Sequence, residues 1–224
     1  MTGALILVGS PRGRLSSSTS IGNYLSKQLD DRGLEVETLW LREVLPSEER
    51  TFQMLESVGA VDIIIVIAPL YDDCQPYLVT KTMELIADQG TLNADIRFIP
   101  IVNCGLPEHQ QITAVAIPIY RRFASTVGFR WAGSLAIGGG EAIQGASGKQ
   151  LEDIGNMANE LKERLGEIAE SLATGIQYPD TSMIAFPSFF LNPIMSKFTV
   201  WMNNRSWKSQ AKKKGGVVDA APYA

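Results

Sequence analysis

Two cysteines, Cys74 and Cys104, and one histidine, His109, are all that 224 residues offer of the side chains that most often bind metals or form disulfides. Thiols so few and so far apart exclude a disulfide framework and a cysteine metal cluster, and they read as reduced residues of a cytoplasmic protein. Long hydrophobic runs are also missing. The longest, IIIVIAPL (63–70), falls far short of the roughly 20 residues that span a bilayer. The opening, MTGALILVGSPR, has no basic segment ahead of a signal-length apolar stretch, so no export signal is read there. Gly-x-Gly-x-x-Gly and Gly-Lys-Ser/Thr are absent from the first loop, which rules out the dinucleotide turn and the Walker loop at that position. Positive charge is scarce in the body. The net charge is −4, yet residues 181–224 hold Lys197, Arg205, Lys208, Lys212, Lys213 and Lys214 against Asp219 alone. An acidic body argues against nucleic acid as a partner, and the basic tail leaves a local anionic contact open.

What is present is a 45% apolar chain, long enough for one large domain or a domain with an appendage. Five short apolar runs punctuate it: ALILVG (4–9), EVETLW (35–40), DIIIVIAP (62–69), RFIPIVNCG (97–105) and WAGSLAIGGG (131–140). The first, third and fourth are nearly continuous in aliphatic residues, as strands buried on both faces must be, while EVETLW alternates and suits an edge. Helix-length stretches at about 18–32, 47–59, 76–89 and 111–128 separate them. After the fifth run, Leu151, Ile154, Ala158, Leu161, Leu165, Ile168 and Leu172 form one apolar stripe at helical spacing, suited to covering a sheet face. Strand alternating with helix predicts an α/β fold, a doubly wound five-stranded parallel sheet with right-handed crossovers. In such a sheet ligands bind beyond the carboxyl ends of the strands, where the strand order reverses.

The loop after the first run, GSPRGRLSSSTS, leads into a helix through Ser16, Ser17, Ser18, Thr19 and Ser20. Hydroxyl donors, a helix N-terminus and the charge of Arg12 make the chemistry of a phosphate cradle. A single N-cap would need only one of these residues. The third run ends in PLYDDCQP, where Pro69 and Pro76 fix the backbone on either side of Tyr71, Asp72, Asp73 and Cys74. The rigid loop suits the edge of a flat heteroaromatic ring, though a plain turn would look the same. The fourth run presents Asn103, Cys104, Gly105 and, further on, His109. No serine or cysteine stands in a nucleophile frame with that histidine, which reads as a solvated loop residue. Cys104 beside Gly105 reads as a small residue allowing close approach of a ligand. GGGEAIQGASGK (138–149) is a Gly-rich loop that either closes over the same crevice or connects along the surface.

Together LILVGSPR with its hydroxyl cluster and GNYL, then PLYDDCQP, VNCGLPE and WAGSLAIGGGEAI resemble the flavodoxin-like NAD(P)H-dependent oxidoreductases, the NADPH-dependent FMN reductase group. The resemblance covers about residues 3–172, and the tail NNRSWKSQAKKKGG is similar to the extension of some members. It implies that Ser10, Arg12, Ser18, Thr19 and Ser20 hold the FMN phosphate. Pro69, Leu70, Tyr71, Asp73 and Cys74 would border the ring, and Asn103, Cys104 and Gly105 would add a third side. Two departures stand out: Ser18-Thr19 replaces the common Asn-Thr or Asn-Ser, and Cys74 replaces a smaller residue. No catalytic side chain, metal or iron–sulfur cluster is expected. The reading is an FMN-dependent enzyme, with NAD(P)H as co-substrate and a quinone, flavin, nitro or azo acceptor. Backbone N–H groups of Leu70–Cys74 and Asn103–Gly105 would stabilise the reduced ring. Residues 1–176 form the flavodoxin-like FMN-binding domain and 177–224 an aromatic, basic extension, a lid or dimer arm ranked above membrane contact. A homodimer is expected. Two alternatives stay open: a flavodoxin-type electron carrier without NAD(P)H activity, and a ligand sensor that has lost the flavin.

Overall fold

The first strand, β1 (Gly3–Val8), sends its buried side chains alternately into two apolar layers, Ala4, Ile6 and Val8 into one and Leu5 and Leu7 into the other. A strand covered on both faces belongs in the middle of a sheet. In the computed structural model, β1 pairs in parallel with β2 (Glu35–Trp40) on one side and β3 (Ile63–Pro69) on the other. The structure describes residues 2–71, 74–90, 95–105, 110–143 and 148–185, and single residues or pairs between 201 and 215. β2 is an edge strand, as its alternating sequence predicts.

Beyond β3 the parallel sheet continues through β4 (Arg97–Asn103), then β5 (Arg130–Trp131) and β6 (Ser134–Gly138), and ends at β7 (Asp180–Ile184). Along the sheet the order is β2-β1-β3-β4-β6-β7, with β5 also on β4. The sheet is therefore wider than the five strands expected, and two physical causes account for the difference. The expected fifth strand is split at Ala132–Gly133. Gly133 has φ +115, and a Cβ there would stand 2.2 Å from the Tyr178 carbonyl oxygen, so only glycine lets the lead-in to β7 pass. Tyr178 N–H bonds the Ala132 carbonyl at 3.0 Å, which aligns β7 beside β6. The strand β7 itself is short and half polar, with Asp180 and Ser182 exposed.

Helices α1 (Ser17–Asp30) and α6 (Asn159–Thr174) cover the face built on Ile6, Ile65 and Ile101. The opposite face, built on Leu5, Leu7, Ile64 and Phe98, takes α2 (Leu41–Val44), α3 (Glu48–Ala60), α4 (Tyr77–Ala87) and α5 (Ile117–Val127). Leu5, Ile6, Leu7, Ile64 and Ile65 are completely buried. Each such side chain contributes about 1.5–3 kcal/mol. The stripe from Leu151 to Leu172 packs against the α1 face, but not as one helix. Leu151–Ala158 winds as a 3-10 segment, broken at Gly155, before α6 begins.

The chain divides into two compact units, Met1–Ala185 and Phe186–Ala224. All the elements above belong to the first. In the second, the Arg205 guanidinium lies 5.6 Å from the Trp201 ring centre. Among the described residues no helix is long and apolar enough to cross a membrane. Register levels the carboxyl ends of the strands: Val8 stands opposite Ile67, Pro69 opposite Asn103, and Asn103 opposite Ile137. Because β1 connects outward to β2 and, through later chain, to β3 on its other side, the loops after β1 and β3 diverge there.

Candidate functional site

The loop after β1 is closed by its own hydroxyls. Gly13 N–H bonds the Ser10 carbonyl at 2.9 Å, and Arg12 N–H reaches Ser10 Oγ at 3.3 Å. Ser16 caps α1 by accepting from Thr19 N–H at 3.1 Å. The Ser16 and Thr19 hydroxyls both reach the Gly13 carbonyl, at 2.8 and 2.9 Å, and Thr19 Oγ1 accepts from Trp40 Nε1 at 3.1 Å. Ser16 and Thr19 are thus committed to the shape of the loop. Thr19 stands within the expected site as its brace, joined to β2 by an indole that sequence reasoning had no reason to single out.

The remaining hydroxyls face different demands. Ser17 donates to the Gly140 carbonyl at 3.0 Å. Ser18 and the Asn103 amide meet at 3.3–3.4 Å, long for a hydrogen bond, in a buried setting. Ser10 and Ser20 are 2% and 1% exposed, and among the described residues Ser20 Oγ has no hydrogen-bond partner. Leaving such a group unsatisfied costs about 1–3 kcal/mol. The N–H groups of Ser17 and Ser18 open α1 with no intrahelical acceptor, at the end where the helix dipole favours negative charge.

Three guanidiniums surround this turn. Arg14 bonds both Glu43 oxygens, at 2.8 and 2.9 Å, and lies 3.8 Å over the Trp40 ring. That bond holds the Glu43 carboxyl below the usual carboxylate range. Arg42 Nη1 donates to the Pro11 carbonyl at 2.9 Å. Arg12 is more than half exposed, and the Glu141 carboxylate stands 3.9 Å from its Nη1.

The second loop follows Pro69, the last residue of β3. Leu70 N–H bonds the Asn103 carbonyl at 2.7 Å, and Tyr71 and Cys74 exchange backbone bonds at 3.0 and 3.2 Å in a tight bridge. Leu70 is buried, whereas Tyr71 and Cys74 are exposed. Asp73 lies outside the described residues. In the third loop Cys104 is nearly buried; its N–H bonds the Ile137 carbonyl at 2.8 Å and its carbonyl accepts from Gly140 at 2.6 Å. Gly105 is exposed next to it. His109 lies outside the described residues. Asn103 is the hub that joins the loops, its amide on Ser18 and its carbonyl on Leu70.

The structure thus brings Ser10, Arg12, Ser18, Thr19, Ser20, Pro69, Leu70, Tyr71, Cys74, Asn103, Cys104 and Gly105 to the carboxyl end of adjacent strands. Gly140 and Glu141, from the Gly-rich loop, join them. One expectation narrows. The N–H groups of Leu70, Tyr71, Cys74 and Cys104 are already bonded within the protein, and Asn103 lies in the β4 ladder, so Gly105 is the described member of that set beyond the strand and outside these bonds. Two cavities of about 520 and 540 Å³ lie elsewhere, one at Arg122 and Ser182, the other at Phe52 and Tyr77.

An open parallel sheet in this order, with loops diverging between β1 and β3, is flavodoxin-like. Solved structures share the fold. A flavodoxin from Streptococcus pneumonia TIGR4 is 19% identical, covers 78% of this chain and 99% of its own, and superposes with a TM-score of 0.54. An FMN-dependent NADH-azoreductase from Bacillus anthracis str. Ames Ancestor, solved in complex with FMN, gives 12% identity, 77% and 100% coverage, and a TM-score of 0.54. For the NAD(P)H:quinone oxidoreductase from Methanothermobacter marburgensis the values are 15%, 76% and 96%, and 0.55. No protein-family model matches the sequence, and none of the curated proteins does.

Proposed function

We propose that this protein is an FMN-dependent oxidoreductase that takes electrons from NAD(P)H and passes them to a small acceptor of the quinone, flavin, nitro or azo class. The observation that carries the reading is the division of labour in the first loop. Ser16 and Thr19 shape it, while Ser10, Ser18 with its long contact to Asn103, the opening N–H groups of α1 and Arg12 are the groups offered to an anion. Many neutral donors around one flexible cation suit the phosphate monoester of FMN, and the orphaned Ser20 hydroxyl fits a site completed by a ligand.

In this reading Ser10, Ser18 and Arg12 hold the phosphate, and Thr19 with Trp40 keeps the loop in shape. Pro69, Leu70, Tyr71 and Cys74 border one edge of the ring, and Asn103, Cys104 and Gly105 another. Bound there, FMN would supply the hydride and electron chemistry, so the reaction requires no side-chain nucleophile of the protein. The exposed Tyr71 leaves room for a nicotinamide or acceptor to approach. Likeness to an azoreductase solved with FMN and to a quinone oxidoreductase supports this choice within the fold.

An absorbance spectrum after incubation with FMN and desalting tests the cofactor: flavin bands near protein stoichiometry are expected, and a colourless protein would sink the proposal. Anaerobic NADPH or NADH should then bleach the bands. The likeness to a flavodoxin keeps a second reading, an electron carrier, in which dithionite bleaches the bands and neither pyridine nucleotide does.

A further inference from the structure

Glu141 stands where it contests the cation of the first loop. Its position is fixed by backbone rather than by its own charge. Gly140 N–H bonds the Cys104 carbonyl at 2.6 Å, and the Gly140 carbonyl accepts from Ser17 Oγ at 3.0 Å, so the residue before Glu141 is tied to both the third loop and α1. After it, Ala142 and Ile143 are buried. The side chain lies close over Gly105: a Cβ placed there would stand 3.4 Å from Glu141 Cγ and 3.8 Å from Oε1. Its Oε1 is 3.9 Å from Arg12 Nη1, with the two side chains 63% and 53% exposed. Arg14 is committed to Glu43 and Arg42 holds the Pro11 carbonyl, so Arg12 is the guanidinium of the three that an incoming anion recruits most readily.

We propose that Glu141 is a specificity-determining residue: a fixed counter-charge that competes with a phosphate ester for Arg12 and so weakens binding of phosphorylated ligands at this crevice. The inference rests on the phosphate-site reading of the first loop. A phosphate bound to Ser10, Ser18 and Arg12 would have to draw the Arg12 guanidinium away from the carboxylate beside it, and that competition weakens the hold on the ester by the small amount an exposed ion pair is worth. The chemistry that Glu141 discriminates is the charge of the ester, not the ring.

The test is fluorescence titration of wild type, Glu141→Gln, Arg12→Ala and the double variant with FMN and, separately, with riboflavin, which shares the ring and lacks the phosphate. Glu141→Gln keeps the shape of an exposed side chain, and a circular dichroism melt verifies folding. It should tighten FMN about three-fold, the scale of an exposed ion pair. Riboflavin affinity should not change, the gain should shrink as salt rises, and it should vanish in the Arg12→Ala background. An unchanged FMN Kd, an equal gain for riboflavin, or a gain that survives Arg12→Ala would each overturn the proposal. If wild type and Glu141→Gln both fail to bind FMN, the phosphate-site reading itself falls and takes this inference with it.

Discussion

Arginine, tryptophan and a carboxylate meet at two places in this molecule. Toward one edge of the sheet, Arg121 lies 4.3 Å over Trp131, and Asp180 receives hydrogen bonds from Arg121, Trp131 Nε1 and Ser134. Toward the other, Arg14 lies over Trp40 and grips Glu43, but the Trp40 indole donates to Thr19 in the first turn of α1 instead of to the acid. The parts match; the accounts do not. Asp180 takes up three donors from α5, β5 and β6 and fastens the last strand to them. The Trp40 cluster braces the first loop and the start of α1, where Ser20 Oγ has no partner among the described residues and Arg12 stays half exposed. A polar group that satisfies itself holds a fold together, whereas one that frames unmet donors prepares a place for something else.

Four changes would break or sharpen that contrast. Gly133→Ala should have the largest effect: it drives a methyl group into the Tyr178 backbone at a positive φ, and should lower stability by about 3 kcal/mol or more. Urea unfolding would register the loss as a lower midpoint. Arg12→Ala acts on the open cluster alone. It should weaken FMN by about ten- to a hundred-fold, as expected for a hydrogen bond to a charged group, with an unchanged melting curve. Asp180→Ala reverses the pattern: stability falls by about 1–2 kcal/mol as three donors lose their acceptor, while FMN titration gives the wild-type Kd.

The smallest effect belongs to Glu43→Gln. Because Arg14 holds the folded Glu43 pKa below its unfolded value, the pair stabilises fully above the ordinary carboxylate value of about 4.3 and is lost as pH falls through the lower folded value. The variant should melt about 2 °C or less below wild type at pH 7. That gap should close in acid, and a gap independent of pH would show that the carboxylate charge is not its source.

How much of this the sequence discloses depends on how locally each element is decided. β1, β3 and β4 read as strands because burial on both faces leaves them almost no polar residues, and EVETLW reads as an edge because only one face must be apolar. β7 escapes notice because DTSMI is short and half exposed, and its hold on the sheet comes from Trp131, Ser134 and Arg121, all distant in sequence. The break at Gly133 is hidden for the same reason: the obstacle is the Tyr178 backbone. In the candidate site, the hydroxyl block announces donors at a helix start. It does not say that Thr19 is taken by Trp40, that Asn103 turns its amide to Ser18, or that Glu141 leans toward Arg12, since each pairing forms across elements.

The late arrival of β7 has a consequence for synthesis. Until Asp180–Ile184 emerge, β6 has paired only with β4, and its other flank, from a strand whose five residues are all buried in the finished fold, lies open. An unpaired apolar flank is a template for another chain. A nascent polypeptide stalled before residue 180 would therefore be prone to stick to its neighbours, and emergence of Asp180–Ile184 would close that flank.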